Sequence, residues 1–137
     1  MTMGRVLGLD HGTRRIGVAL SDPLRLTAGP LCVLETGGDV EDRLRHLVAE
    51  HDVERIVVGL PVSLGGAEGP AAAAAREFAG RVAEAVDVPV ELYDERFSTV
   101  TAERSLIEAG MRRERRRETR DRVAAAVFLQ AYLDGRT

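Results

Sequence analysis

Three acids stand where carboxylates could hold a metal. Asp10 ends the apolar run Val6-Leu7-Gly8-Leu9, Glu95 follows the run from Pro89 to Tyr93, and Asp121 precedes the small-residue stretch Val123-Ala124-Ala125. Carboxylate oxygens suit hard cations such as Mg2+ or Mn2+. Two such ions roughly 3.5–4 Å apart, caged by gathered carboxylates, can activate water and stabilise a leaving oxygen at a phosphodiester. Each acid also has a plainer reading. Asp10 fits a turn aspartate before Gly12, and Glu95 fits a surface acid paired with Arg96. Asp121 falls in the first turn of a predicted helix, where the helix dipole favours an acid. Asp94 competes with Glu95, because adjacent strand residues point to opposite sides and only one can face a given site. Asp10 carries the stronger signal. A buried strand end tolerates a carboxylate poorly unless it is paired or metal-bound, and open α/β sheets gather their sites at strand C-termini. Cys32, His11, His46 and His51 lack the spacing of a zinc site.

A basic run stands directly before the third acid. Residues 112–122 hold seven arginines against three acids. Such a run is ordinarily a solvated face. Beside a phosphodiester site, Arg112, Arg113, Arg115, Arg116, Arg117 and Arg120 become phosphate contacts, with Arg14 and Arg96 beside the first two acids. The guanidinium suits this role because it binds two oxygens at once. The loop from Pro61 to Gly66 follows a strand but lacks the Gly-Lys-Ser/Thr of a P-loop.

The elements that must position these residues follow from periodicity. Val6–Asp10, Ile16–Leu20 and Leu31–Leu34 are expected strands, closely connected and therefore antiparallel. Val40, Leu44, Leu47, Val48 and His51 fall at helical spacing. Arg55 to Leu60 is a continuous apolar strand, followed by an alanine-rich helix from about Ala71 to Val86 and a fifth strand from Pro89 to Tyr93. Ser98 or Thr99 caps a helix running to Gly110, and Thr119 caps a last helix from about Arg120 to Leu133. The order β-β-β-α-β-α-β-α-α indicates an α/β domain with a mixed five-stranded sheet flanked by helices. It is the element order of the ribonuclease H-like fold.

The bulk numbers agree. The 137 residues fit one compact domain over 1–137, and 45% hydrophobic with 30% charged residues is a globular balance. The single cysteine excludes an internal disulfide and points to a reducing compartment. The N-terminal apolar run is too short for a signal peptide or a membrane span. The net charge of −3 argues weakly against nucleic acid as a whole, but its distribution matters more than its sum.

The segment from Leu7 to Asp22 (LGLDHGTRRIGVALSD) resembles the opening of the YqgF/RuvX family, Holliday-junction-resolvase-like proteins also described as pre-16S rRNA nucleases. Val57-Val58-Gly59-Leu60-Pro61, Tyr93-Asp94-Glu95-Arg96-Phe97-Ser98-Thr99 and Asp121-Arg122-Val123-Ala124-Ala125 are similar to its later motifs, in order. The resemblance implies a ribonuclease H-like fold, divalent-metal nuclease chemistry in the cytoplasm, and Asp10, Glu95 and Asp121 as the acidic triad. Arg14 stands where the family usually has lysine. RNA is the expected substrate, in 5′ processing of the 16S precursor during ribosome biogenesis, ahead of branched DNA. Symmetric junction cutting needs a dimer, and no apolar stripe is left over for one, so a monomer or weak homodimer is expected. Two other readings compete. Leu9-Asp10-His11-Gly12-Thr13 also resembles the first phosphate turn of sugar kinases, which need a second domain. A catalytically weak nucleic-acid-binding assembly factor could keep the same triad.

Overall fold

The computed structural model describes residues 4–62, 65–94 and 113–135, with 113–122 described as helical backbone. Five strands form one sheet: β1 Arg5–His11, β2 Arg15–Ser21, β3 Ala28–Glu35, β4 Val53–Leu60 and β5 Val90–Asp94. Their order is β3-β2-β1-β4-β5. The first three are antiparallel neighbours, and β4 and β5 run parallel to β1. The sheet is therefore mixed, as its connections demand: tight turns join the first three strands, and helical crossovers serve the parallel ones. Helix α1 spans Val40–Glu50, α2 spans Pro70–Ala85 and α3 spans Arg113–Asp134.

Side-chain alternation divides the core into two layers. Leu7, Leu9, Ile16, Val18, Ile56 and Val58 point to one face and meet Leu44 of α1 and Phe78 and Val82 of α2. Val6, Ala19 and Val57 point to the other and meet Ala125, Phe128, Leu129 and Tyr132 of α3. β1 and β4 are covered on both sides, which is why they read as unbroken apolar runs. Each fully buried Leu or Val contributes roughly 1.5–3 kcal/mol relative to exposure.

Two local departures from the sequence reading have simple causes. Pro30 lies within β3, where the pairing slips from Val18–Cys32 to Ala19–Pro30. An edge strand with a bulge tolerates the missing N–H. The last helix is already formed at Arg113, so Thr119 lies inside it and does not cap it. Arginine and glutamate are good helix formers, and the basic run contains no breaker. The predicted helix from Ser98 or Thr99 to Gly110 lies outside the described residues. No helix among the described residues is long and apolar enough to cross a membrane.

Candidate active site

Asp10 is half-buried near the C-terminal end of β1, the central strand. By alternation it shares the α3 face with Val6 and Gly8. Its partner across the β1–β2 ladder is Gly17. On the other side, one step beyond the Leu9–Val58 pair, stands Gly59, whose own partner is Tyr93. Neither neighbour of Asp10 in the sheet carries a side chain. In the sheet Asp10 is thus flanked by two glycines, Gly17 on β2 and Gly59 on β4.

The chain then turns back at once. The Gly12 amide donates to the Arg15 carbonyl at 2.8 Å, and a Cβ at Gly12 would lie 2.7 Å from that oxygen. Glycine is required there. Arg14 is exposed in this turn, at the same end of the sheet as Asp10.

His11 points to the opposite face. Its ring stacks on Phe78 of α2 at 4.6 Å between centroids, and the Arg81 guanidinium lies 5.9 Å from the same phenyl ring. Burial, followed by the charge of Arg81, lowers the His11 pKa and keeps the imidazole neutral. Asp94 also belongs to that opposite face. In β5 the side chains of Val90 and Leu92 pack with α1 and α2, whereas Tyr93 packs with the α3 layer. Asp94, at the end of the strand, has the parity of Leu92.

Helix α3 runs antiparallel to β1. Gln130, near its C-terminal end, accepts a hydrogen bond from the Ala28 amide and donates one to the Leu26 carbonyl, both at 2.9 Å. Ala28 pairs with Ser21, at the edge of the sheet where β1 begins. The N-terminal half of α3 therefore extends toward the end of the sheet that holds Asp10. Asp121 shares a helix row with Ala125, Phe128 and Tyr132, at spacings of four, three and four. It lies in the third turn counted from Arg113, not the first. The helix-dipole explanation for an acid there is lost, because that effect fades within one turn.

The structure thus brings the Asp10 end of β1 and the Asp121 end of α3 to one side of the sheet. Glu95, Arg96 and Arg112 lie outside the described residues. Arg113, Arg115, Arg116, Arg117 and Arg120 are carried on α3 ahead of and beside Asp121. Among the described residues, no group of three or more acids, histidines or cysteines is gathered as for a metal; the described part of the predicted triad is Asp10 and the backbone bearing Asp121. Sequence reasoning missed Gly8, whose signal was a glycine inside an apolar strand. It also missed the His11–Phe78 stack, which joins residues too distant in sequence to signal each other.

In sequence and in fold the chain is similar to known proteins. The sequence model of the RuvX family, described as Holliday junction resolvase, matches residues 4–135. A protein of Pelotomaculum thermopropionicum named "Putative pre-16S rRNA nuclease" is 49% identical over 133 residues, 95% of this chain and 86% of that protein. One of the same name from Geobacillus kaustophilus is 47% identical over 136 residues, covering 96% and 99%. Among solved structures, T. thermophilus RuvC in complex with a Holliday junction substrate superposes with a TM-score of 0.59 at 19% identity, covering 97% of this chain and 95% of that one. The fowlpox virus resolvase bound to junction DNA gives 0.53 at 9% identity, covering 96% and 97%. At those identities the structural likeness speaks for the ribonuclease H-like fold alone. The match over 4–135 and the near-half identity across almost the whole length decide the family: the chain belongs to the RuvX family, a group of nucleases acting on phosphodiester bonds.

Proposed function

We propose that the chain is a divalent-metal-dependent nuclease that cuts RNA, in 5′ processing of the 16S rRNA precursor. The observation that carries this is the position of Asp10: the C-terminal end of the central strand, on the α3 face, between Gly17 and Gly59. The donor chemistry fits Mg2+ or Mn2+. The described donor is a carboxylate, and the nearest imidazole, His11, is held on the other face against Phe78. Asp10, Glu95 and Asp121 are the proposed ligands. The parity of Asp94 supports Glu95 as the acid from the end of β5. Bound metal would lower the pKa of a water nucleophile and offset charge on the leaving oxygen. The glycines Gly17 and Gly59 beside Asp10 add no side chain of their own between a phosphate and the carboxylate. Arg14, Arg96 and the α3 arginines bind and orient the strand through its phosphates.

RNA is favoured because the relatives at 47–49% identity bear the rRNA nuclease name. A cytoplasmic location goes with this reading, since rRNA precursors are processed where they are transcribed. A monomer suffices for it, because a single cut needs one site. The family description favours a second reading, symmetric resolution of four-way DNA junctions. The test compares cleavage of a precursor-like RNA and a synthetic four-way junction at one salt and one metal concentration. Asp10→Asn prepared in parallel excludes a contaminant. Faster RNA cleavage is expected. Paired symmetric nicks in the junction, faster than any RNA cut and made by a stable dimer, would establish the resolvase instead. RNA binding without cleavage at any metal concentration would leave a ribosome-assembly factor.

A further inference from the structure

We infer that Gly8 is a positioning residue: its lack of a side chain sets how deeply α3 sits on the sheet, and so where Asp121 stands relative to Asp10. The inference rests on the proposed reading of these two acids as metal ligands.

Gly8 lies in mid-strand on the α3 face, paired with Ala19 on β2 and Val57 on β4. A Cβ built on it would lie 3.1 Å from the Leu129 Cβ, 3.3 Å from its Cδ2 and 3.4 Å from its Cγ. The closest of these atoms is a Cβ, which no rotamer change can move. Leu129 is fully buried, so the added methyl would have to be met by a shift of the helix itself. The C-terminal part of α3 is not free to shift. On one side Gln130 holds the Ala28 amide and the Leu26 carbonyl. On the other the Tyr132 hydroxyl bonds to Glu91, and Arg55 bonds to both. With that end fastened, crowding at Leu129 tilts the opposite end away from the sheet.

That end carries Asp121, eight residues or about 12 Å along the helix from Leu129. Asp10 lies two residues, about 7 Å, beyond Gly8 on the same face. A metal site tolerates ligand displacements of only about 0.2 Å. The relief needed at a 3.1 Å approach is a few tenths of an ångström at the pivot, and a tilt enlarges it at Asp121. One methyl group in the core, two residues from Asp10 along β1 and packed on Leu129 of α3, is enough to spoil the spacing of the acids.

The experiment measures Mn2+ affinity by electron paramagnetic resonance titration of the nucleic-acid-free protein, with melting temperature recorded for each variant. Gly8→Ala is compared with Val82→Ala, which opens space in the opposite core layer and controls for reduced stability. Gly8→Ala should weaken Mn2+ binding roughly tenfold, the low end of the loss seen when a group supporting a metal ligand is removed. Val82→Ala should stay within about twofold of wild type on the same scale. If Gly8→Ala does not fold, Gln130→Ala loosens the same seating without entering the core and should also lower affinity. Wild-type affinity in the folded Gly8→Ala protein, or in Gln130→Ala when that variant stands in for it, overturns the inference. Equal losses in Gly8→Ala and Val82→Ala overturn it as well. A wild-type protein that binds no Mn2+, or an Asp10→Asn variant that binds it normally, refutes the metal-site reading itself and the inference with it.

Discussion

The Tyr132 hydroxyl donates to the Glu91 carboxylate and so ties α3 to the edge strand β5. Arg55 of β4 donates to the same carboxylate oxygen at 2.9 Å and to the tyrosine oxygen at 3.2 Å. Burial, with the bond to Glu91, raises the Tyr132 pKa and keeps the hydroxyl a donor. Tyr132→Phe keeps the ring and its edge-on packing with Tyr93, 5.6 Å away, and removes only the polar tie. The variant should lose about 1 kcal/mol of stability in urea unfolding. A variant as stable as wild type would show that Arg55 satisfies Glu91 unaided.

Asp10→Asn should abolish cleavage and leave the fold intact. The amide is close in size to the carboxylate, while the charge that would hold a cation is gone. Without metal, the variant should stay folded with a melting temperature near that of wild type, because the substitution changes neither the size of the side chain nor the apolar core on either side of β1. Chelation should silence the wild-type enzyme in the same way, without unfolding it. Turnover by folded Asp10→Asn, or full cleavage in excess chelator, would rule out the metal reading.

Replacing Arg115, Arg116 and Arg117 with alanine preserves helix propensity in α3. Affinity should fall alike for all sequences. The slope of log affinity against log salt should flatten by roughly 0.7–0.9 for each phosphate that the variant no longer neutralises. Filter binding across a salt series reads this directly. An unchanged slope would make the run a solvated face.

Asp22 shapes the turn between β2 and β3 by accepting the Leu26 and Thr27 amides at 2.7 and 2.9 Å. The Thr27 amide, with help from Leu26, lowers the aspartate pKa below its ordinary 3.8. A carboxylate whose folded pKa is depressed stabilises the protein above the unfolded value. That contribution fades as pH falls through the lowered folded value. The stability gap between wild type and Asp22→Ala should therefore be full at neutral pH and shrink below about pH 4. Urea midpoints over an acid series test this, and a gap independent of pH would contradict it.

The elements most legible in the sequence are those with a strong local period. α1 covers Val40–Glu50, where Val40, Leu44, Leu47 and Val48 repeat at helical spacing, and His51 is its C-cap. α2 opens at Pro70, directly after Gly69, one residue before its expected start. The start of α3 is harder to place, because Thr119 resembles a cap. A threonine caps only where the helix has no preceding turn, and the arginine run supplies one. The earlier start also alters the meaning of Asp121, from a first-turn acid to an interior one.

Residue type and local order were enough to determine the five strands, the acids at their ends and the family the chain resembles, because strand and helix periods are written in neighbouring residues. The tertiary structure alone decided that Asp10 and Asp94 fall on opposite faces of the sheet. Asp10 stands with Gly8 under α3, while His11 and Asp94 have the opposite parity, and that assignment depends on which helix covers which side of the sheet. It also decided that Gly17 and Gly59 flank Asp10, since cross-strand register joins residues that no short window compares. The seating of α3 is the furthest case. Gln130 reaches Leu26 and Ala28 across more than a hundred residues, and Leu129 rests on Gly8. Pairings of that range are chosen by the packing of the whole core, so no local pattern in the chain announces them.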